Sequence, residues 1–354
     1  MARHPPHTRL CDMLGCDAPI VQTGMGWVAT PELVAAACNA GAFGFLAAAA
    51  LPLEEVEARI EKTAQLTERP FGVNFLMDAP GAEEIVEMIL RHRVRAAGYN
   101  RAPSAVLIDK LKAGGVLCIP TCGAPRHVVK AEKLGADAVI VQGGEGGGHT
   151  GTIPTSLQVP ACSEAVEIPV IAAGGFKDGR GLVAALALGA AGVAMGTRFL
   201  MTAESPVPSA TTDRYAKASM TDVIVTREID GMPQRVIVNE LVHKLESASG
   251  PARLLFAIRN GLEFRRQTGA SPLALLRSAL AMRSHENLTR SQTLLAANAP
   301  ILAKRAMNDG DPVGGYLPAG TVTGGIDDLP TCEELISRIM DEARETLAGL
   351  QEES

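Results

Sequence analysis

The chain has 354 residues, long enough for one large α/β barrel with an insertion or for two ordinary domains. A formal net charge of −6 with no long basic run argues against a nucleic-acid partner. Its seven scattered cysteines (residues 11, 16, 38, 118, 122, 162 and 332) form no CxxC pair, which fits reduced thiols in a cytoplasm rather than a disulfide framework or a zinc site.

Taken in chain order, β-rich runs alternate with helical patterns over the first 200 residues. The eight strands expected are Pro19–Met25, Phe43–Ala48, Phe71–Met77, Val94–Tyr99, Val116–Thr121, Ala138–Gln142, Val170–Gly174 and Gly192–Phe199. Between them lie helix-length segments such as Pro31–Ala40, Leu53–Thr67, Glu83–His92, Ala105–Ala113, Pro125–Leu134 and Gly179–Leu188. This alternation means parallel strands joined by helices, and eight such units predict a TIM (β/α)8 barrel. Aromatics are scarce at 3% while Ala, Val, Leu and Ile dominate, as in strands covered on both faces. Three units close their helix alike, with Gly41, Gly135 or Gly189 where a left-handed residue ends the helix. Leu33–Leu53 and Gly181–Thr197 are apolar enough to imitate membrane spans, but internal glycines divide each into a buried helix and strand.

Beyond Thr202 the texture becomes charged and helical, including Arg253–Arg266 and Leu273–Arg283. Residues 203–319 therefore read as a mostly helical insertion covering the active-site face, and 1–202 with 320–354 as the barrel. Gly314–Gly325 reads as a return loop, and Thr331–Leu350 as an amphipathic last outer helix.

Ligands of such barrels bind where strands end, with phosphate favouring the loops after the seventh and eighth strands. Gly174-Gly175 and Gly196-Thr197 stand at those two places. Glycine offers backbone N–H groups without a Cβ to fend off the anion, and a helix near Gly179 adds partial positive charge. The loop after the sixth strand, Gln142-Gly-Gly-Glu145-Gly-Gly147-Gly-His149, is a side-chain-poor floor for a flat ring system. Its His149 suits proton transfer. Glu145 either orients a neighbour or is solvated. Asn74, at the end of the third strand, can donate and accept as a flavin's pyrimidine edge requires. There is no Walker A motif, no GxGxxG in a strand–turn–helix setting, and no HExxH, so a built-in nicotinamide site and a catalytic metal are not expected.

These stretches resemble the nitronate monooxygenase (2-nitropropane dioxygenase) family. The resemblance rests on Gln22-Thr23-Gly24-Met25, Phe71-Gly72-Val73-Asn74, the His149 loop, Ala173-Gly174-Gly175-Phe176 and Met195-Gly196-Thr197-Arg198, in order through residues 15–205. It implies FMN held at Gly24, Met25, Gly26, Asn74, Gln142, Gly147, Gly174, Gly175, Gly196 and Thr197, with His149 catalytic. Two departures stand out: Cys118–Cys122 occupies the stretch where several relatives carry a lysine, and Gln142 stands where some carry an acid. Thr226–Val236 and Glu240–Ser247 are similar to a subgroup in bacterial steroid degradation that acts on a hydroxylated methylindanone carboxyl-CoA. That likeness implies an acyl-CoA substrate, with Arg227 and Arg235 meeting its phosphates and NAD(P)H as a diffusible co-substrate. Nitronate oxidation with O2, enoyl-thioester or quinone reduction, and a non-catalytic flavin-binding barrel are the competing readings. A homo-oligomer stays open.

Overall fold

Short runs of Val, Ile, Ala and Phe form strands that are buried on both sides. The computed structural model describes residues 6–49, 51–100, 102–248 and 290–352. The strands are β1 (Ile20–Gln22), β2 (Phe43–Ala47), β3 (Gly72–Phe75), β4 (Ala96–Asn100), β5 (Leu117–Cys122), β6 (Val139–Gln142), β7 (Gly148–His149), β8 (Val170–Ala173) and β9 (Gly192–Met195). Apart from β7 they close into a parallel barrel in sequence order, sealed where Val21 of β1 pairs with Ala194 of β9. This is the (β/α)8 architecture that the alternation of elements predicts.

Two compact units divide the chain. One comprises Met1–Gly146, Thr150–Pro206 and Ile326–Ser354, and the other Gly147–His149 with Val207–Gly325. Within the first, the inward side chains Val21, Phe43, Phe45, Ala96, Ile119, Ile140, Ile171 and Ala194 fill the barrel, and Leu10 and Leu14 of the helix Arg9–Leu14 join them. A second layer, including Val73, Phe75, Val86, Ala97, Tyr99, Ile108 and Leu111, packs strands against outer helices. Gly41, Gly135 and Gly189 all take the left-handed φ that their place after a helix calls for. The apolar stretches that imitate membrane spans are helix–strand pairs, Pro31–Asn39 with β2 and Gly179–Ala187 with β9. Among the described residues no helix is long and apolar enough to cross a membrane.

Two local expectations are corrected. The eighth barrel strand ends at Met195, and Thr197–Leu200 is a short helix whose Arg198 is buried 2.6 Å from Asp328. The first strand ends at Gln22, and after an irregular stretch the chain turns at 26–28. The tail forms the helix Cys332–Glu352 and packs on Gly179–Ala187. A Cβ on Gly179 would lie 2.5 Å from the Ile339 carbonyl oxygen, so only glycine lets the two helices approach.

The second unit holds helices Ser209–Lys217, Glu240–Ser247 and Arg290–Met307. It also holds a sheet that the helical reading of 203–319 did not anticipate. β10 (Val223–Thr226), β11 (Gln234–Ile237) and β12 (Leu317–Pro318) run antiparallel, and β7 pairs with β11. The expected helices Arg253–Arg266 and Leu273–Arg283 lie outside the described residues.

Gly179→Ala should lower stability by about 1–3 kcal/mol, since the added methyl forces the two helices apart. Urea unfolding measures this, and an unchanged midpoint would contradict the packing.

Candidate active site

The C-terminal ends of the barrel strands bring several sequence-chosen residues together. Gly24 leaves no room for a side chain, since a Cβ there would overlap Asn74 at the end of β3. Across the same rim, a Cβ on Gly196 would stand 3.2 Å from Thr23 Oγ1 and 3.4 Å from Met25 Sδ. The loop after β1 is thus wedged between the ends of β3 and β9. Its Trp27 has φ 65°, unusual for a bulky residue and a strain typical of functional loops.

On the opposite arc, Gly174 and Gly175 take φ values of 101° and 89° in succession at the end of β8. A Cβ on Gly174 would approach the Gly146 amide nitrogen at 3.0 Å, and one on Gly146 would overlap Gln142. The ends of β6 and β8 therefore meet backbone to backbone.

Glu145 has a defined task in this arc. Its Oε2 accepts from the Thr155 amide at 2.9 Å and lies 2.6 Å from the Thr155 hydroxyl, capping the helix Thr155–Ser163 that Pro154 cannot cap. The same hydroxyl sits 3.0 Å from the Gly174 carbonyl, which ties the β6 and β8 loops together. The helix dipole expected near Gly179 is already engaged: Glu342 accepts from the Gly179 amide at 2.7 Å and Asp178 from the Gly181 amide at 2.9 Å. An anion at this rim would be met by the glycine turns at 174–175 and 196–197 rather than by that helix.

The second unit carries a polar cluster of its own. β7 pairs antiparallel with β11 so that His149 lies opposite Gln234. His149 Nε2 is 2.7 Å from Asp230 Oδ2 although 81 residues separate the two. Gln234 Nε2 donates to the same oxygen, and the Met232 amide donates to Asp230 Oδ1 at 3.0 Å. A carboxylate only accepts, so His149 donates from Nε2, and Nδ1 is the basic position of the neutral ring. The Asp230 side chain is 9% exposed and that of His149 51%, so a buried anion orients a solvent-facing imidazole. Burial pushes the Asp230 carboxyl up, but His149, the Met232 amide and Gln234 together hold it below the usual carboxylate range. Tyr316 lies beside this group; burial and the Asp230 charge raise its phenol well above the ordinary value.

Asp230, Gln234 and Tyr316 escaped the sequence reading. The available signal was Asp230-Gly231 between two β-branched runs, Val223–Thr226 and Val236-Ile237, which marks a hairpin. Gly147 belongs with this unit, where a Cβ would crowd the Ala319–Gly320 backbone. Arg227 is exposed just after β10, and Arg235 is half-buried in β11 opposite Val225 and Gly148.

A parallel eight-stranded barrel with glycine-lined strand ends, and an appended unit bearing a histidine–carboxylate pair, define an α/β-barrel enzyme. The nitronate monooxygenase family model matches residues 7–100 and 82–342. Two curated proteins named (3aS,4S,5R,7aS)-5-hydroxy-7a-methyl-1-oxo-octahydro-1H-indene-4-carboxyl-CoA dehydrogenase are similar to the chain. The one from Mycobacterium tuberculosis is 50% identical, covering 95% of this chain and 96% of its own, and the one from Rhodococcus jostii 48%, covering 97% of each. The solved FabK of Thermotoga maritima superposes with a TM-score of 0.80 at 31% identity, over 98% of this chain and 99% of its own. The chain belongs to the nitronate monooxygenase family and is an oxidoreductase. This membership supports a flavin cofactor. The barrel rim fits such a group, with left-handed glycines at the end of β8, a side-chain-free approach at Gly24 and an amide at Asn74.

A depressed native pKa for Asp230 contributes stability above the ordinary carboxyl value of about 4, and that contribution is lost as pH falls through the lower native value. Asp230→Asn should therefore melt lower than the parent at pH 7, and the gap should narrow towards pH 3. Thermal melts across that range decide it; parallel curves for the two proteins would contradict the pairing.

Proposed function

We propose that the protein is an FMN-dependent dehydrogenase of an alicyclic CoA thioester in steroid ring degradation, with His149 as its acid–base group. The carrying observation is the 2.7 Å His149–Asp230 hydrogen bond, read together with the extent of likeness to the two dehydrogenases. In this reading Gly174, Gly175, Gly196 and Thr197 hold the FMN phosphate. Gly24, Met25, Gly26, Asn74, Gln142 and Gly147 line the rest of the cofactor. When bound, the flavin would supply the acceptor for a hydride equivalent from a substrate C–H bond.

The protein's own residues manage the proton. A CoA thioester acidifies its α-carbon hydrogen, and His149 takes that proton while the Asp230 carboxylate stabilises the imidazolium. Asp230 is a positioning residue: it fixes the tautomer through Nε2 and stays ionised, and Gln234 and the Met232 amide hold its two oxygens. Arg227 and Arg235 meet the phosphates of CoA, a pairing suited to guanidinium forks. NAD(P) is the diffusible partner that carries electrons onward.

Anaerobic stopped-flow absorbance tests the reading. The indane carboxyl-CoA thioester should bleach the flavin within the first turnover, and His149→Ala should slow this about 10²–10⁴-fold with flavin still bound. Bleaching by a small alkyl nitronate, with none by the thioester or NAD(P)H, would overturn it in favour of nitronate oxidation.

A further inference from the structure

Six side-chain polar atoms among the described residues are buried without a hydrogen-bond partner: Gln22 Oε1, Thr30 Oγ1, Tyr99 Oη, Asn100 Oδ1, Gln158 Oε1 and Arg198 Nε. Such an orphan is costly to bury, so each calls for an explanation. Three of them lie on barrel strands: Gln22, Tyr99 and Asn100. Side chains alternate along a strand, and their neighbours say which way each faces. Val21 belongs to the barrel interior, so Gln22 faces the outer helices, and Tyr99 itself packs in the outer layer with Ala97. Ala96 belongs to the interior cluster, which places Gly98 and Asn100 on the inner face of β4. Asn100 is therefore the strand residue whose orphaned oxygen faces the barrel mouth.

Its height in the barrel narrows the role. Asn74 of β3 is in register with Gly98, and Asn100 stands two residues further along, opposite Thr121 of β5. Two residues of strand rise by roughly 6–7 Å. Asn100 therefore stands above Asn74, the residue proposed to meet the flavin, at a level where a substrate laid over a bound flavin would reach it.

The chemistry of that oxygen narrows it further. A lone amide oxygen requires an O–H or N–H donor. In the compound named for the two similar dehydrogenases, the 1-oxo group and the thioester carbonyl only accept, and the 5-hydroxyl is the one donor on the ring system. That hydroxyl is on the carbon next to the one bearing the carboxyl-CoA group, one bond from the acidified position. We propose that Asn100 is a specificity residue that accepts a hydrogen bond from the ring hydroxyl of the substrate. The assignment rests on the thioester reading above. It makes the enzyme selective for β-hydroxy thioesters over their deoxy counterparts.

The test uses flavin-loaded protein with the flavin reduced beforehand, so that thioesters bind without turnover. Calorimetry then compares the 5-hydroxy indane carboxyl-CoA with its 5-deoxy analogue on the parent, Asn100→Leu and Asn100→Asp. The parent should bind the hydroxylated thioester about 10–100-fold more tightly than the deoxy one. Asn100→Leu should bring the ratio to about one with flavin content unchanged, and Asn100→Asp, which keeps an acceptor, should preserve the preference. An unchanged ratio in Asn100→Leu overturns the assignment, and loss of flavin from that variant makes Asn100 a cofactor contact instead. A parent that binds neither thioester refutes the thioester reading itself, an outcome distinct from the first two.

Discussion

The hydrogen bond between His149 and Asp230 joins the end of a glycine-rich loop to a turn 81 residues further on within the second unit. It forms only because β7 adds to the edge of β11, which requires the chain to leave the barrel unit at Gly147. The run of glycines before His149 lets the backbone make that departure. Every contact that keeps Asp230 ionised depends on the same hairpin, since Met232 follows it in the turn and Gln234 opens β11. A two-residue strand is a small element, yet it decides which way the His149 ring points.

The barrel unit answers a different requirement. Its strand ends carry glycine wherever a side chain would collide with a neighbouring loop: Gly24 against Asn74, Gly146 against Gln142, Gly174 against the Gly146 backbone. Close approach of backbones makes a rim of amide groups, which suits an anionic or flat ligand better than a hydrophobic one. Glu145 secures that rim by capping the helix Thr155–Ser163, so the one carboxylate in the glycine loop serves architecture.

Much of this was legible in the residues themselves. All eight barrel strands lie where the β-rich runs fall, because parallel strands buried on both sides must be continuous apolar runs. The left-handed glycines at 41, 135 and 189 are legible for a local reason, since only that residue ends a helix so abruptly. Elements that local pattern could not reveal are of two kinds. Thr197–Phe199 looks β-rich but is helical, and its Arg198 meets Asp328, a partner 130 residues away that local pattern cannot reveal. The β10–β11 hairpin sits in charged surroundings that mimic helix, and the pairing of His149 with Asp230 is purely tertiary. Likewise, Asn100 looks like an ordinary polar residue at a strand end until the burial of its oxygen is known.

In the proposed reaction the His149 imidazole, held by Asp230, carries the substrate proton while the flavin is reduced. Chemical rescue tests it most directly: anaerobic single-turnover bleaching of the flavin by the indane carboxyl-CoA thioester, in His149→Ala, with and without added imidazole. The expected result is a slow reaction whose rate rises with imidazole concentration. A variant as fast as the parent, or a slow one indifferent to imidazole and to other small bases, would contradict it.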